Sequence, residues 1–287
     1  MKPCISQATT MNAPVEAELK AFGRGGWNFV ELWLTKVEGY LIGRKTSDLR
    51  NLLDEHGLKA AAAAGQGGLL LSRGAERGVH WDLFRRRLDL LRDLEVPVLV
   101  VAVDFQRALT EDDYPLAAAS LAEAGDLAAQ RGVKIALEFQ KGAAFCASLD
   151  TTLALIAQCR SENVGVCLDL FHYYTGPSKF EDLAYLTREN LAWVQLCDLA
   201  GTPRELAGDS DRIFPGEGDF HIAPILDHLG AIGYDGPTSL EVLNPALWAS
   251  PVDRVADFGH QAMVRALGRW NDEAGPDAGP GPDRGGR

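Results

Sequence analysis

Eight times along this chain an apolar, partly β-branched run of five to eight residues is followed by a stretch with helical spacing. The runs read as strands are Pro3–Gln7, Asn28–Trp33, Leu58–Ala64, Val96–Val103, Lys134–Phe139, Val164–Asp169, Trp193–Asp198 and Thr238–Leu243. Helices are expected over Val15–Phe22, Ser47–His56, Trp81–Leu94, Tyr114–Arg131, Ser148–Cys159, Phe180–Leu186, Ile222–Ile232 and Pro251–Leu267. Ser148 and Ser250 are candidate N-caps, and Gly57, Gly132 and Gly233 lie just past helix ends. A strand that returns through a helix can rejoin its sheet only in parallel, and eight such units suggest closure into a (β/α)8 barrel. The hydrophobic fraction, 46% of 287 residues, is enough for one substantial core. From Asn271 the chain reads NDEAGPDAGPGPDRGGR, too rich in Gly, Pro and Asp to bury apolar area. The expectation is one barrel domain over 1–270 and a disordered Gly/Pro-rich tail over 271–287.

Four oxygen-bearing side chains mark the ends of the last four strands in which such residues recur: Glu138 in KIALEF, Asp169 in VGVCLD, Gln195 in AWVQLCD and Glu241 in PTSLEVL. In a parallel barrel the C-terminal strand ends converge on one mouth, where polar residues usually serve chemistry. Strand alternation gives the inward sets Lys134, Ala136 and Glu138; Cys167 and Asp169; Trp193, Gln195 and Cys197; Ser239, Glu241 and Leu243. Three carboxylates gathered there resist ionisation unless a cation neutralises them. The pattern therefore points to one divalent metal ion. An all-oxygen donor set suits Mn²⁺ first, and Mg²⁺ or Co²⁺ meet the same preference; structural zinc favours His and Cys. Gln195 alone could equally be a hydrogen-bonding core residue.

The remaining candidates carry two readings each. His172, three residues after Asp169 in LDLFHYY, is a solvated loop histidine or a group supporting substrate or metal. Arg212, in DSDRIFPGEGDFH, is a surface arginine or a planar donor for carbonyl and hydroxyl oxygens, held by the Pro215, Gly216 and Gly218 turn. PGEG lacks the ending of a phosphate loop. Asp198 closes strand seven as a stop or a supporting acceptor. In the first half only Glu31 is a clear acid at a strand end, with Asp104 just past strand four. Trp33 and Trp248 could wall a pocket, and Cys167 and Cys197 read as small fillers of the barrel interior. His56, His80, His228 and His260 are expected on the surface.

The net charge of -12 argues against a nucleic-acid partner and favours a small neutral polyol, or an acid met by local cations. No apolar run reaches membrane-span length, and MKPCISQATT lacks the apolar core of a signal peptide. Five cysteines without CxxC spacing suit reduced thiols in the cytoplasm. A homo-oligomer is compatible with all of this.

The segments CISQATT, VKIALEF, ENVGVCLDLFHYY, DRIFPGEG and GYDGPTSLEVLNP resemble the xylose-isomerase-like TIM-barrel superfamily of sugar isomerases and epimerases. The resemblance runs to about Trp270 and is greatest to 2-keto-myo-inositol (inosose) isomerases. It implies a metal held by Glu138, Asp169, Gln195 and Glu241, with Glu138 and Glu241 also moving protons through an enediolate. It further implies that His172 and Arg212 contact a keto-sugar or keto-inositol substrate. Many such epimerases carry His where this chain has Gln195, whereas hydroxypyruvate isomerases and some dehydroshikimate dehydratases use Gln. A metal-dependent dehydratase is therefore the alternative reaction, and a non-catalytic polyol-binding barrel the alternative class. The DNA-repair members need further His ligands that strands three and four lack, and Ile213 follows Arg212 where that group has His.

Overall fold

The computed structural model describes residues 1–273. Eight strands close into a barrel in sequence order: β1 Lys2–Ser6, β2 Phe29–Trp33, β3 Lys59–Gln66, β4 Val98–Ala102, β5 Lys134–Glu138, β6 Val164–Asp169, β7 Leu191–Leu196 and β8 Pro237–Leu240. Every pairing is parallel, including β1 with β8, so the protein is a (β/α)8 TIM barrel as the alternation requires. The helices are α1 Val15–Arg24, α2 Leu34–Tyr40, α3 Thr46–Glu55, α4 Gly74–Asp93, α5 Asp113–Ala129, α6 Leu149–Cys159, α7 Leu170–Thr175, α8 Ile222–Ala231, α9 Pro245–Trp248 and α10 Val252–Glu273. Since α10 reaches Glu273, the first three residues assigned to the tail are helical. The rest of the expected tail lies outside the described residues.

Side-chain size separates two cores. Val, Leu, Ile and Phe on the outer faces of the strands pack against the helices in one continuous cluster. The barrel interior holds mainly small residues, Cys4, Ala62, Ala64, Val100, Ala136 and Cys167, with Trp193 as the large exception. Small residues below leave room for long polar side chains above them, which is what the mouth contains. Cys167 fills the interior as expected, whereas Cys197 packs with the outer cluster.

Several local expectations need correction. Phe180–Tyr185 is a 3-10 turn, and the helix of this unit is instead α7, which starts immediately after Asp169. Asp169 nucleates it: Oδ1 accepts from Phe171 N at 2.6 Å and from His172 N at 3.2 Å, satisfying two orphan helix donors. His172 therefore sits on a helix and is buried, not on a solvated loop. Helix α4 starts seven residues before the expected Trp81. Ser148 and Ser250 do not cap with their hydroxyls: Ser148 Oγ donates to Asp150, and Ser250 Oγ donates to Ala246 O. Gly57 and Gly233 do end α3 and α8, at φ of +68° and +78°, where a Cβ would be strained.

Candidate active site

The four expected donors occupy neighbouring positions at the C-terminal rim. Glu138 and Asp169 are the last residues of β5 and β6, Gln195 is the penultimate residue of β7, and Glu241 follows β8 directly. All four are buried. Glu138, Gln195 and Glu241 line a cavity of about 310 Å³, with Trp33, Gln66, Gln140, His172, Asp209 and Arg212 among the other walls. Larger hollows exist, including one at the opposite end of the barrel, but the converging carboxylates single out this one.

Arg212 organises the charge. Its Nη1 lies 2.7 Å from Asp169 Oδ2 and 3.3 Å from Glu241 Oε2. Its Nε and Nη2 both donate to Asp209 Oδ1, at 3.0 and 2.8 Å. The guanidinium also lies over the Phe171 ring, 4.5 Å from its centroid. An arginine read equally as surface or site from sequence is therefore 1% exposed and in the site. The loop that delivers it is anchored by Asp198, whose carboxylate accepts from the backbone N–H groups of Leu199, Gly216 and Phe220, each at 2.9 Å. Asp198 also pairs through its backbone with Ile213, the residue after Arg212. Asp198 is thus the clasp of this loop.

Electrostatics at the rim is uneven. Burial pushes Glu138 well above the usual carboxylate range, and the Asp169 charge adds to it. Burial likewise raises Glu241, reinforced by Glu31. Asp169 opposes its own burial with the Arg212 and His172 charges and stays below its usual value. Burial lowers His172. Three buried carboxylates thus face one buried guanidinium, and two of the three resist ionisation. That excess of negative charge, on hard oxygen donors, fits a divalent cation. One donor atom each from Glu138, Asp169 and His172 lies within 4.8 Å of the others, so His172 is nearer a metal-binding position than its sequence context implied.

Sequence reasoning missed Gln66, Gln140 and Asp209. Gln140 Nε2 donates to Glu138 Oε2 at 2.7 Å, and Gln66 ends β3. Both are neutral amides at or just past strand ends, a position that carries the same signal as the acids do. Asp209 could have been found from its i,i+3 spacing to Arg212. Glu31, on β2, lies behind Gln195 and accepts from its Nε2 at 2.9 Å. Trp33 does line the cavity, but Trp248 does not; its Nε1 donates to Ala8 O at 2.8 Å. His56, His80, His228 and His260 are half-buried rather than surface groups, and none lines the cavity.

A family profile described as xylose isomerase-like TIM barrel matches residues 19–263. An inosose isomerase of Bacillus velezensis is 26% identical over 253 residues, covering 85% of this chain and 89% of that protein. A 3-dehydroshikimate dehydratase of Pseudomonas aeruginosa is 26% identical over 258 residues, covering 89% of this chain and 40% of that longer protein. The structure of the IOLI protein with a bound zinc atom has a TM-score of 0.87 at 22% identity, covering 94% of this chain and 99% of that one. The profile spans most of the barrel, and the chain belongs to the xylose isomerase-like TIM barrel family.

Proposed function

We propose that this protein is a divalent-metal-dependent isomerase of a keto-inositol or keto-sugar. The observation that carries the reading is the burial of Glu138, Asp169 and Glu241 at one rim, where Arg212 pairs with the last two and Glu138 and Glu241 line a cavity of about 310 Å³. Glu138, Asp169, Gln195 and Glu241 would hold the cation, with His172 in reach of the first two. Mn²⁺ is the proposed ion, because carboxylate and amide oxygens outnumber nitrogen. When bound, the cation supplies positive charge to adjacent carbonyl and hydroxyl oxygens of the substrate and acidifies the C–H beside them.

The chain's own residues do the rest. Glu138 has Oε2 engaged by Gln140, which leaves Oε1 to take the proton from the carbon next to the carbonyl. Glu241 returns a proton to the neighbouring carbon from Oε1, the oxygen not facing Arg212. Burial raises both carboxyls in metal-free protein, and a bound cation would oppose that and hold Glu138 ionised, the form that accepts a proton. Arg212 and His172 orient the substrate oxygens and face the negative charge that develops in the enediolate. Trp33 closes one wall against water.

The cavity chemistry favours a neutral substrate. Among the described lining residues Arg212 is the only guanidinium, and it already meets Asp169, Asp209 and Glu241. Apart from the metal, a substrate carboxylate would meet no unpaired guanidinium among the described lining residues, while Gln140 keeps a second amide N–H for a hydroxyl. This supports an isomerase of the kind named for the Bacillus relative over the dehydratase named for the Pseudomonas one. The test is incubation of Mn²⁺-loaded protein with 2-keto-myo-inositol in deuterated water, beside a chelated control. An isomer with solvent deuterium next to the carbonyl is expected, and none from Glu138→Gln. Aromatic product from 3-dehydroshikimate, with keto-inositols and keto-sugars inert, would replace this reading with the lyase. Bound ligand with no turnover of either would leave a polyol-binding barrel.

A further inference from the structure

Glu31 is a carboxylate in the barrel interior, fully shielded from solvent and far along the chain from the residues it serves. A buried carboxylate is costly, and an apolar side chain would fill the same space without that cost. Its contact with the rim is informative. Oε1 accepts from Gln195 Nε2 at 2.9 Å, across the barrel from β2 to β7. At the other end of the amide, Gln195 Oε1 accepts from Cys167 Sγ at 3.1 Å. Glu31 Oε2, Trp193 Nε1 and Ser239 Oγ, all in this interior, have no hydrogen-bond partner among the described residues. Ser239 and Trp193 are further polar neighbours of this carboxyl from the interior, and the Gln195 bond is the one that leads from it to the rim.

A glutamine amide has two ends of nearly equal size, and only the oxygen can bind a cation. Glu31 Oε1 accepts from the NH₂ end, and an accepting oxygen in that place rejects the amide oxygen. We propose that Glu31 is a positioning residue that fixes the Gln195 amide with Nε2 turned inward, so that Oε1 is the end offered to the metal. The inference rests on the reading above in which Gln195 is a metal donor. It gives a physical reason for a neutral amide to work at this position. The carboxylate behind it selects the oxygen and polarises the amide towards it, as acceptors behind metal-bound histidines do.

The experiment is Mn²⁺ titration of chelator-treated protein by calorimetry, with thermal melting to check that each variant is folded. Glu31→Gln is isosteric but can donate to the wrong end of the amide; it should weaken Mn²⁺ binding by about 10- to 100-fold. Glu31→Asp keeps an acceptor and should bind more tightly than Glu31→Gln. The decisive arm is Gln195→Glu, whose two oxygens leave nothing to orient. In that background Glu31→Gln should not weaken binding, and should strengthen it by removing a like charge. A penalty of the same size in both backgrounds would show that Glu31 merely supports the fold and would overturn the proposal. Gln195→Ala tests the donor reading separately: wild-type Mn²⁺ affinity there removes Gln195 from the metal site, whatever Glu31 does.

Discussion

Arg212 and Asp169 form a buried ion pair, Nη1 to Oδ2 at 2.7 Å, in which neither side chain is more than 2% exposed. The pair joins the β7–α8 loop to the end of β6, so the loop's position and the charge of the site are fixed together. Removing the guanidinium leaves Asp169 without its counterion and brings Glu241 closer to unscreened repulsion. Arg212→Ala should lower the stability of chelated protein by about 3–5 kcal/mol, the usual cost of breaking a buried pair. Added Mn²⁺ should recover part of that loss, because a cation at the rim replaces the missing charge. Thermal melts with and without metal check this; a deficit unchanged by Mn²⁺ would separate Arg212 from the metal site. Arg212→Lys, which loses the planar fork, should retain more stability than Arg212→Ala and still turn over on the order of 10²-fold more slowly.

The raised carboxyl of Glu241 makes a pH prediction for metal-free protein. Its usual value is near 4.5, and burial first, then Glu31, lifts it well above that. The folded state therefore holds a proton that the unfolded chain has released, so this contribution to stability falls as pH rises from about 4.5 through the raised value. Glu241→Gln is neutral throughout and escapes that loss. In chelator, the melting temperature of Glu241→Gln minus that of wild type should grow between pH 5 and pH 8, while its Mn²⁺ binding is lost. A difference that stays flat with pH would mean that Glu241 ionises at no cost.

A second buried acid supports the site from behind. Glu18 on α1 accepts from Gln7 Nε2 at 2.6 Å, Thr10 Oγ1 at 2.7 Å and Lys36 Nζ at 2.6 Å. Burial pushes its carboxyl up to about 7, against the pull of Lys36. Gln7 in turn accepts from the backbone N–H of Trp33, a wall of the cavity, at 2.7 Å. Glu18→Ala strands Lys36 and frees Gln7, and should cost about 3 kcal/mol. Denaturant melts measure the loss; a change within about 0.5 kcal/mol, as for an ordinary surface substitution, would show the network to be idle.

The PGEG turn tolerates no side chain at its last glycine. A Cβ on Gly218 would strike Leu199 O and Asp198 Oδ1, the carboxylate that clasps the loop. Gly218→Ala should therefore displace the segment that carries Arg212. We expect weaker Mn²⁺ protection against thermal unfolding and faster proteolysis at the loop. Gly216→Ala, where no atom lies within 4 Å of the added Cβ, is the control for its own positive φ of +85°.

The architecture and the strand-end positions at the rim were legible in the order of residues because both follow from period and position. Alternating strand and helix units dictate a parallel barrel, and the last inward residue of each strand must face the mouth, which identifies Glu138, Asp169, Gln195 and Glu241 without coordinates. Connections and pairings of distant residues were not legible. The helix at Leu170–Thr175 depends on Asp169 turning its carboxylate onto two backbone N–H groups, a choice made at a strand end that propensity does not record. Arg212 is buried because Asp198 fastens its loop and three acids meet its guanidinium, and two of those acids, Asp169 and Glu241, come from other units. Glu31 meets Gln195 across 164 positions, since closing the barrel brings the interiors of β2 and β7 together. The sequence alone determined which side chains at the ends of the last four strands reach the mouth, through the two-residue period of a strand. Tertiary structure decided which of them pair, because hydrogen bonds and charges act over a few ångströms in space and take no account of distance along the chain.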